Sequence, residues 1–191
     1  MSGNSPSNES SEPSRGSWTG GFRDPSRNRQ HRDPVGPGQE SVWDYPRPPA
    51  LESIGDVVRI VIGEFELATS GSAYRILETS HPPTVYIPPG DIVMDRLVPA
   101  PGGSLCEWKG RADYWTYQTP ERVIERIAWS YPAPVARYAE LKDLLAFYPS
   151  KCDACYVGEH RVTAQPGDFY GGWITPNIVG PFKGSSGTMG W

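Results

Sequence analysis

The chain has 191 residues, including 21 prolines and 21 glycines, and its formal net charge is −4 at pH 7. This length suits one domain with extensions, and the many prolines and glycines exclude long helices and favour short strands joined by turns. Because Lys and Arg form no block, we expect no nucleic-acid partner. The longest apolar run is interrupted by Arg59, so we expect no membrane span.

Residues 1–39 are polar and offer little to bury, so we predict a disordered tail. No apolar stretch follows Met1, so a secretory signal peptide is not expected. Three cysteines, an odd number, are more typical of a reducing compartment than of a disulfide framework. We therefore expect a cytoplasmic protein with a single domain over residues 40–191.

That domain begins with ESVWDYPRPP, whose aromatic residues and prolines predict an extended arm packed on the rest. VVRIVIGEFELATS predicts two strands around a tight turn at Gly63-Glu64. A short helix or turn is predicted at 139–145, where apolar residues recur every three or four positions. The glycine-rich, aromatic segment 165–191 is expected to lie over the domain. Further strands are predicted at 73–79, 84–87, 92–98, 105–108, 113–118 and 123–129.

The spacing of these strands, near ten residues with turn residues between them, predicts the fold class. We expect an all-β fold, mostly antiparallel, with at most one or two short helices. Its strands would form either a small barrel or two packed sheets.

Six motifs together resemble one protein family: ESVWDYPRPP, ILETSHPPTVYIPP, CEWKGRADYW, IAWSYP, AFYPSK and FYGGWITPNIVGPFK. They are similar to the domain of unknown function 427 (DUF427) family, over about residues 40–191. The resemblance implies a β-tent-like fold, a group that also has zinc-bearing members, and no established activity. A nucleotidyltransferase label is sometimes attached to this family, but that chemistry needs a Gly-Ser turn followed by a paired Asp-x-Asp/Glu. Gly71-Ser72 is followed by no such pair, and Asp91 and Asp95 have the wrong spacing.

Glu78 and His81, in ILETSHPPTVYIPP, are the first candidate catalytic residues. Residues three apart on an extended strand point to opposite faces, but Pro82 holds His81 at a corner that could re-aim its ring. One interpretation is an acid–base pair at the mouth of a pocket. The alternative is structural: His81 hydrogen-bonds a carbonyl, and Glu78 pairs with Arg75 or a backbone N–H.

Two lysines stand between an aromatic residue and a glycine: Lys109, which follows Trp108 in CEWKG, and Lys183 in PFKG. Aromatic neighbours can desolvate a lysine, which favours a catalytic role for Lys109 as an electrophile and an anion-binding role for Lys183. The alternative is a surface lysine whose stem covers the aromatic ring.

Aromatic residues are predicted to form the walls of the same pocket. Tyr131 is expected to act as a catalytic hydrogen-bond donor, and Trp108, Tyr114, Trp115 and Trp129 are expected to bind the ligand. The alternative is that these rings are core walls with one wet edge. Alternation along ADYWTYQ places Tyr114 and Trp115 on opposite faces of a strand.

Cys152 and Cys155 form a single CxxC, which is half of a zinc site. Cys106, His81 and His160 could complete it, but coincidental cysteines are the default interpretation. We therefore predict no metal and no cofactor.

Three functions are compatible with these residues. The first is an acid–base enzyme of the isomerase, cyclase or hydrolase type, in which Glu78 or His81 moves a proton while Lys109 and Tyr131 polarise a carbonyl. The second is a non-catalytic ligand-binding module that uses the same pocket, and the third is a protein-interaction module. Ionisable groups within aromatic, proline-stiffened motifs favour the first two. The predicted partner is a small organic molecule, which is anionic if the lysines contact it.

Overall fold

The computed structural model describes Met1, residues 32–167, residues 169–188 and Trp191. The predicted tail lies mostly at residues 2–31, outside the described residues. Within the described part no helix exceeds six residues, and none is long and apolar enough to cross a membrane. The short 3-10 helices are Pro89–Asp91, Met94–Arg96, Ala136–Leu141 and Pro149–Lys151. The strands are β1 (Glu40–Ser41), β2 (Ala50–Ser53), β3 (Val58–Ile62), β4 (Phe65–Ser70), β5 (Tyr74–Leu77), β6 (Thr84–Ile87), β7 (Leu97–Cys106), β8 (Gly110–Gln118), β9 (Val123–Ser130), β10 (Leu145–Phe147), β11 (Ala154–Val157), β12 (His160–Arg161), β13 (Thr163–Ala164), β14 (Trp173–Ile174) and β15 (Ile178–Val179).

Two antiparallel sheets make up most of the fold. The larger sheet has seven strands in the order β2-β5-β6-β10-β9-β8-β7, and the smaller has four in the order β12-β11-β3-β4. Strands β3 and β4 are joined by the predicted two-residue turn at Gly63-Glu64. The all-β, mostly antiparallel prediction is confirmed in its two-sheet form, and the described strands close into no barrel.

The main hydrophobic core combines residues from both sheets. Along β3, Val58, Ile60 and Ile62 are buried while the residues between them are half-buried, as expected for a strand with one face inward. Ile127 of the larger sheet and Trp173 of the C-terminal segment belong to the same cluster. Burial of these apolar side chains is the main stabilising contribution to the fold.

The other face of the larger sheet carries a second, aromatic cluster. In one row across the strands, cross-strand neighbours follow in the order Tyr74, Tyr86, Ala146, Trp129 and Tyr114. Ala146 is the small member in the middle of this row. The rings of Tyr86 and Trp129 can therefore approach each other, with centroids 6.4 Å apart and planes nearly perpendicular.

Strand β7 differs from the prediction. The sequence predicts separate strands at 92–98 and 105–108, whereas β7 runs from Leu97 to Cys106. Its two prolines are tolerated because β7 is an edge strand. A register shift between Ala100 and Gly103 absorbs the extra residues as a bulge.

The N-terminal arm packs on the domain, as predicted, but it contains turns and is not fully extended. Val42, Trp43 and Tyr45 form a third buried cluster with Leu77 and Ile178. Strand β1 also pairs in parallel with β15, so the arm packs against the C-terminal segment.

The turn predicted at 139–145 is a 3-10 helix at Ala136–Leu141 that is followed by β10. Its apolar spacing reflects the burial of Tyr138, Leu141 and Leu144 in the aromatic cluster.

Candidate functional site

A cavity of about 310 Å³ opens on the aromatic face of the larger sheet, and we call it the aromatic cavity. This volume lies at the lower end of the range of small-ligand sites. Eight of the nine residues predicted from the sequence line it: Glu78, His81, Trp108, Lys109, Tyr114, Trp129, Tyr131 and Lys183.

Trp115 is the exception. Its indole N–H donates a hydrogen bond to Ser130 Oγ at 2.9 Å, and its ring packs against the main core. Successive strand residues point to opposite faces, and Tyr114 already faces the aromatic cavity. A ligand in this cavity would therefore not contact Trp115, and the ligand-binding role that the sequence suggested for it is not supported.

One tight turn brings Glu78 and His81 to the same cavity. The backbone N–H of His81 donates a hydrogen bond to the carbonyl oxygen of Glu78 at 3.0 Å, which closes a four-residue turn. Ser80, the third residue of the turn, has a φ of +71°, in the left-handed region. On a straight strand, residues three apart would point to opposite faces. Because of this turn, Glu78 and His81 instead line the same cavity.

His81 is held as one defined tautomer. Its Nδ1 lies 3.1 Å from the carbonyl oxygen of Thr79, and because a carbonyl only accepts, Nδ1 carries the hydrogen and Nε2 is left as the basic nitrogen. Burial lowers the pKa of His81, and the nearby cations Lys183 and Arg47 lower it further, whereas Glu78 raises it. The imidazole is therefore suited to act as a neutral base.

Glu78 is paired, but not with the partner that the sequence suggested. Its Oε1 lies 3.6 Å from Arg47 Nε, while Arg75 forms ion pairs with Glu40 and Glu52. The separation from Arg47 is long for a hydrogen bond. The ion pair therefore orients the Glu78 carboxylate but leaves its oxygens able to accept hydrogen bonds from a ligand. Structural contacts and exposure to the cavity thus coexist at Glu78.

The two lysines differ in how they are held. Lys109 lies at the end of the β7–β8 hairpin, next to Gly110 with a φ of +100°, and its side chain is buried. Its Nζ is 6.0 Å from the ring centroid of Tyr131, and within the described residues it forms no ion pair. Lys183 instead donates from Nζ to the carbonyl oxygen of Trp191 at 2.7 Å. Lys109 is therefore the more available of the two.

Tyrosine and tryptophan donors line the same cavity as Lys109. Burial raises the pKa of Tyr131 and of Tyr86, so both phenols stay protonated and donate hydrogen bonds at neutral pH. Tyr86 Oη and Trp108 Nε1 are buried and lack a hydrogen-bond partner in the described part of the chain. The sequence analysis missed Tyr86, although its position between Val85 and Ile87 would have placed it on the opposite face from the core.

The cysteines and histidines proposed as a zinc site are not brought together. Cys155 is buried in the main core, whereas Cys106 and His81 line the aromatic cavity. The described residues include no group of three or more His, Cys, Asp or Glu side chains that could hold a metal ion. A hydrogen bond with Cys152, together with burial, raises the pKa of the Cys155 thiol.

The sequence matches the model of one known protein family. The model of a family described as "Domain of unknown function (DUF427)" matches residues 50–158, which is more than half of the chain. The chain belongs to the DUF427 family. The match is shorter at both ends than the resemblance over residues 40–191. No curated protein matches the chain.

Residues outside the DUF427 match complete the aromatic cavity. Arg47 precedes the match, and Phe169, Tyr170 and Lys183 follow it. The ring of Tyr170 meets that of His81 edge to face, with centroids 4.8 Å apart.

The C-terminal segment approaches the DUF427 core closely at one glycine. A Cβ atom on Gly171 would lie 2.3 Å from Trp129 Cη2, so only glycine lets the backbone reach the indole ring. This close contact between Gly171 and Trp129 is one reason why the C-terminal segment can lie against the larger sheet.

Proposed function

We propose that this protein binds a small organic molecule in the aromatic cavity and moves protons on it, as a cofactor-independent acid–base enzyme of the isomerase, cyclase or hydrolase type. The observation that carries the proposal is the turn at residues 78–81, which exposes a carboxyl group and a neutral imidazole to one aromatic-walled cavity. An acid and a base held on one short turn have the fixed geometry that proton transfer requires.

The roles follow from the state of each group. His81 Nε2 is the proposed base, because Nδ1 is engaged by Thr79 and burial keeps the ring neutral. Tyr131 is the proposed hydrogen-bond donor to a carbonyl oxygen, because its raised pKa keeps the phenol protonated. Lys109 would add positive charge beside the same oxygen, and Glu78 would take or return the second proton.

The proposed setting is the cytoplasm. Cys106, Cys152 and Cys155 are all free thiols, which is the usual state of cysteines in a reducing compartment.

The test begins with the compounds that the purified protein retains from a cell extract. We expect native mass spectrometry to detect a bound small molecule on the wild-type chain. Glu78→Gln and His81→Ala should lose it while keeping a cooperative unfolding transition. Glu159→Gln and His160→Ala, which alter exposed residues away from the cavity, are the matched controls and should retain it.

Proton transfer is tested separately from binding. The retained compound is incubated with the protein in D₂O, and we expect deuterium uptake or turnover with the wild type to fall by about 10²-fold or more in His81→Ala. Binding without exchange or turnover would instead support a non-catalytic ligand-binding module. Variants at Glu78 and His81 that are less stable but still retain the ligand would show that these residues only stabilise the turn.

A further inference from the structure

Lys109 is a buried cation that the described residues leave without an anionic partner. Its side chain is only 8% exposed and lines the aromatic cavity, and none of the ion pairs in the described part includes it. A buried ammonium group is unfavourable unless an anion or several acceptors compensate it. The ring of Tyr131, 6.0 Å from Nζ, supplies only a weak cation–π contact. The cavity therefore has a position for a negative group that no described residue fills.

Two neutral donors beside the same cavity are also unsatisfied. Tyr86 Oη and Trp108 Nε1 are buried, and neither has a hydrogen-bond partner among residues 32–167, 169–188 and Trp191. Buried donors in folded proteins are almost always paired. Together with Lys109 they form a set of donors that would suit the oxygens of a bound ligand.

The charge balance of the cavity favours a single negative charge on that ligand. The charged side chains among its described lining residues are three cations and two carboxylates: Arg47, Lys109, Lys183, Glu78 and Glu107. Burial lowers the pKa of His81, which therefore adds no charge at neutral pH. One net positive charge suits a carboxylate better than a phosphate ester, which carries nearly two negative charges at pH 7.

The lining also includes two large apolar side chains that are exposed. Leu105 is 82% exposed and Phe169 is 77% exposed, and both line the cavity. The rings of Trp129 and Tyr148, which also line the cavity, pack with centroids 4.5 Å apart. Large apolar side chains left open at the rim of a pocket indicate a contact with an apolar group.

We propose that the aromatic cavity takes a small aryl or alkyl carboxylate, with its carboxylate at Lys109, Tyr86 and Trp108 and its apolar part against Trp129 and Tyr148. This inference rests on the proposed function and names the ligand class of the same site. The cavity volume of about 310 Å³ equals that of roughly ten water molecules at about 30 Å³ each. This volume is sufficient for an aromatic ring with a short acid chain.

Three probes test the proposal by isothermal titration calorimetry: 3-phenylpropionate, its neutral amide, and phenyl phosphate. We expect the carboxylate to bind at least about tenfold more tightly than the amide, because it forms charge-assisted hydrogen bonds. It should also bind more tightly than phenyl phosphate. Lys109→Met should reduce the affinity for the carboxylate to that for the amide and leave the amide unchanged.

Three further variants sharpen this experiment. Lys142→Met removes an exposed lysine outside the cavity and should behave like the wild type. Tyr86→Phe keeps the ring but removes the hydroxyl, and should weaken carboxylate binding by about tenfold. If Lys109→Met does not fold, Lys109→Arg keeps the charge and should preserve the preference for the carboxylate over the amide.

Several results would overturn the ligand class. They are equal affinity for carboxylate and amide, tighter binding of phenyl phosphate, equal losses for both ligands in Lys109→Met, or no binding of any probe. The proposed function has separate criteria: it fails if retention of a compound from the cell extract does not depend on Glu78 and His81, or if the retained compound binds without exchange or turnover. The two failures can therefore be told apart.

Discussion

At the scale of single residues, the charge state of His81 is decided by its surroundings. Burial disfavours the imidazolium form, and Arg47 and Lys183 repel it, whereas Glu78 attracts it. The edge-to-face contact with Tyr170 covers part of the ring. The net effect is a pKa below the ordinary value of 6.5, so the folded protein resists protonation at this position.

This lowered pKa predicts how stability depends on pH. Between the lowered pKa and 6.5 the unfolded chain binds more protons at His81 than the folded chain, so stability rises with pH and falls as the solution is acidified. His81→Gln removes this titration. We expect the variant to lose less unfolding free energy than the wild type between about pH 8 and about pH 5, measured by urea unfolding.

The control for that measurement is His160→Gln, which removes an exposed histidine from outside the aromatic cavity. Its stability should follow the wild-type pH dependence. Parallel pH profiles for the wild type and His81→Gln would contradict the lowered pKa.

At the scale of elements, the turn after β5 determines where the two candidate catalytic groups lie. The hydrogen bond from the His81 N–H to the Glu78 carbonyl oxygen closes it, and Ser80 adopts a positive φ to do so. The Ser80 N–H also donates to the carbonyl oxygen of Val42, and the Ser80 carbonyl accepts from the Lys183 N–H. The turn is therefore held by the N-terminal arm and by the C-terminal segment.

Substitutions at Ser80 test this turn. Ser80→Gly should keep stability within about 1 kcal/mol of the wild type, because glycine adopts a positive φ without steric cost. Ser80→Val should lose about 1–3 kcal/mol, because a β-branched residue is strained in that region. Chemical denaturation measures both values. Ser53→Val, at an exposed strand position, is the control and should be close to neutral; a neutral Ser80→Val would show that the turn is not strained.

At the scale of the whole molecule, residues outside the DUF427 match belong to the same folded unit as residues inside it. Trp173, beyond the match, is 2% exposed within the main core. Its backbone N–H donates to the carbonyl oxygen of Pro83, and its indole N–H donates to that of Phe147. The C-terminal segment therefore contributes to the core as well as to the cavity.

Alanine substitutions in this segment should separate the two contributions. Trp173→Ala should lower the unfolding free energy by about 3–5 kcal/mol, because it leaves a large cavity in the main core. Phe169→Ala, at an exposed position in the same segment, should change stability by no more than about 0.5 kcal/mol. Guanidinium unfolding monitored by circular dichroism gives both values. Similar values for the two variants would mean that the segment adds little to the core.

The sequence predicts the fold class correctly, because turn residues and alternating apolar positions are local signals. The turn at Gly63-Glu64 and strand β6 follow directly from such patterns. It also determined which residue types would meet, since eight of the nine predicted site residues line one cavity.

Only the tertiary structure decided which of those residues could act together. Ser80 gives little local sign of a turn with positive φ, so the shared orientation of Glu78 and His81 was not predictable from spacing. Trp115 has the same chemistry as its neighbours, but strand alternation turns it to the core. Lys109 is the important cation because it is buried and forms no ion pair with the described residues, and local sequence patterns do not encode such long-range contacts.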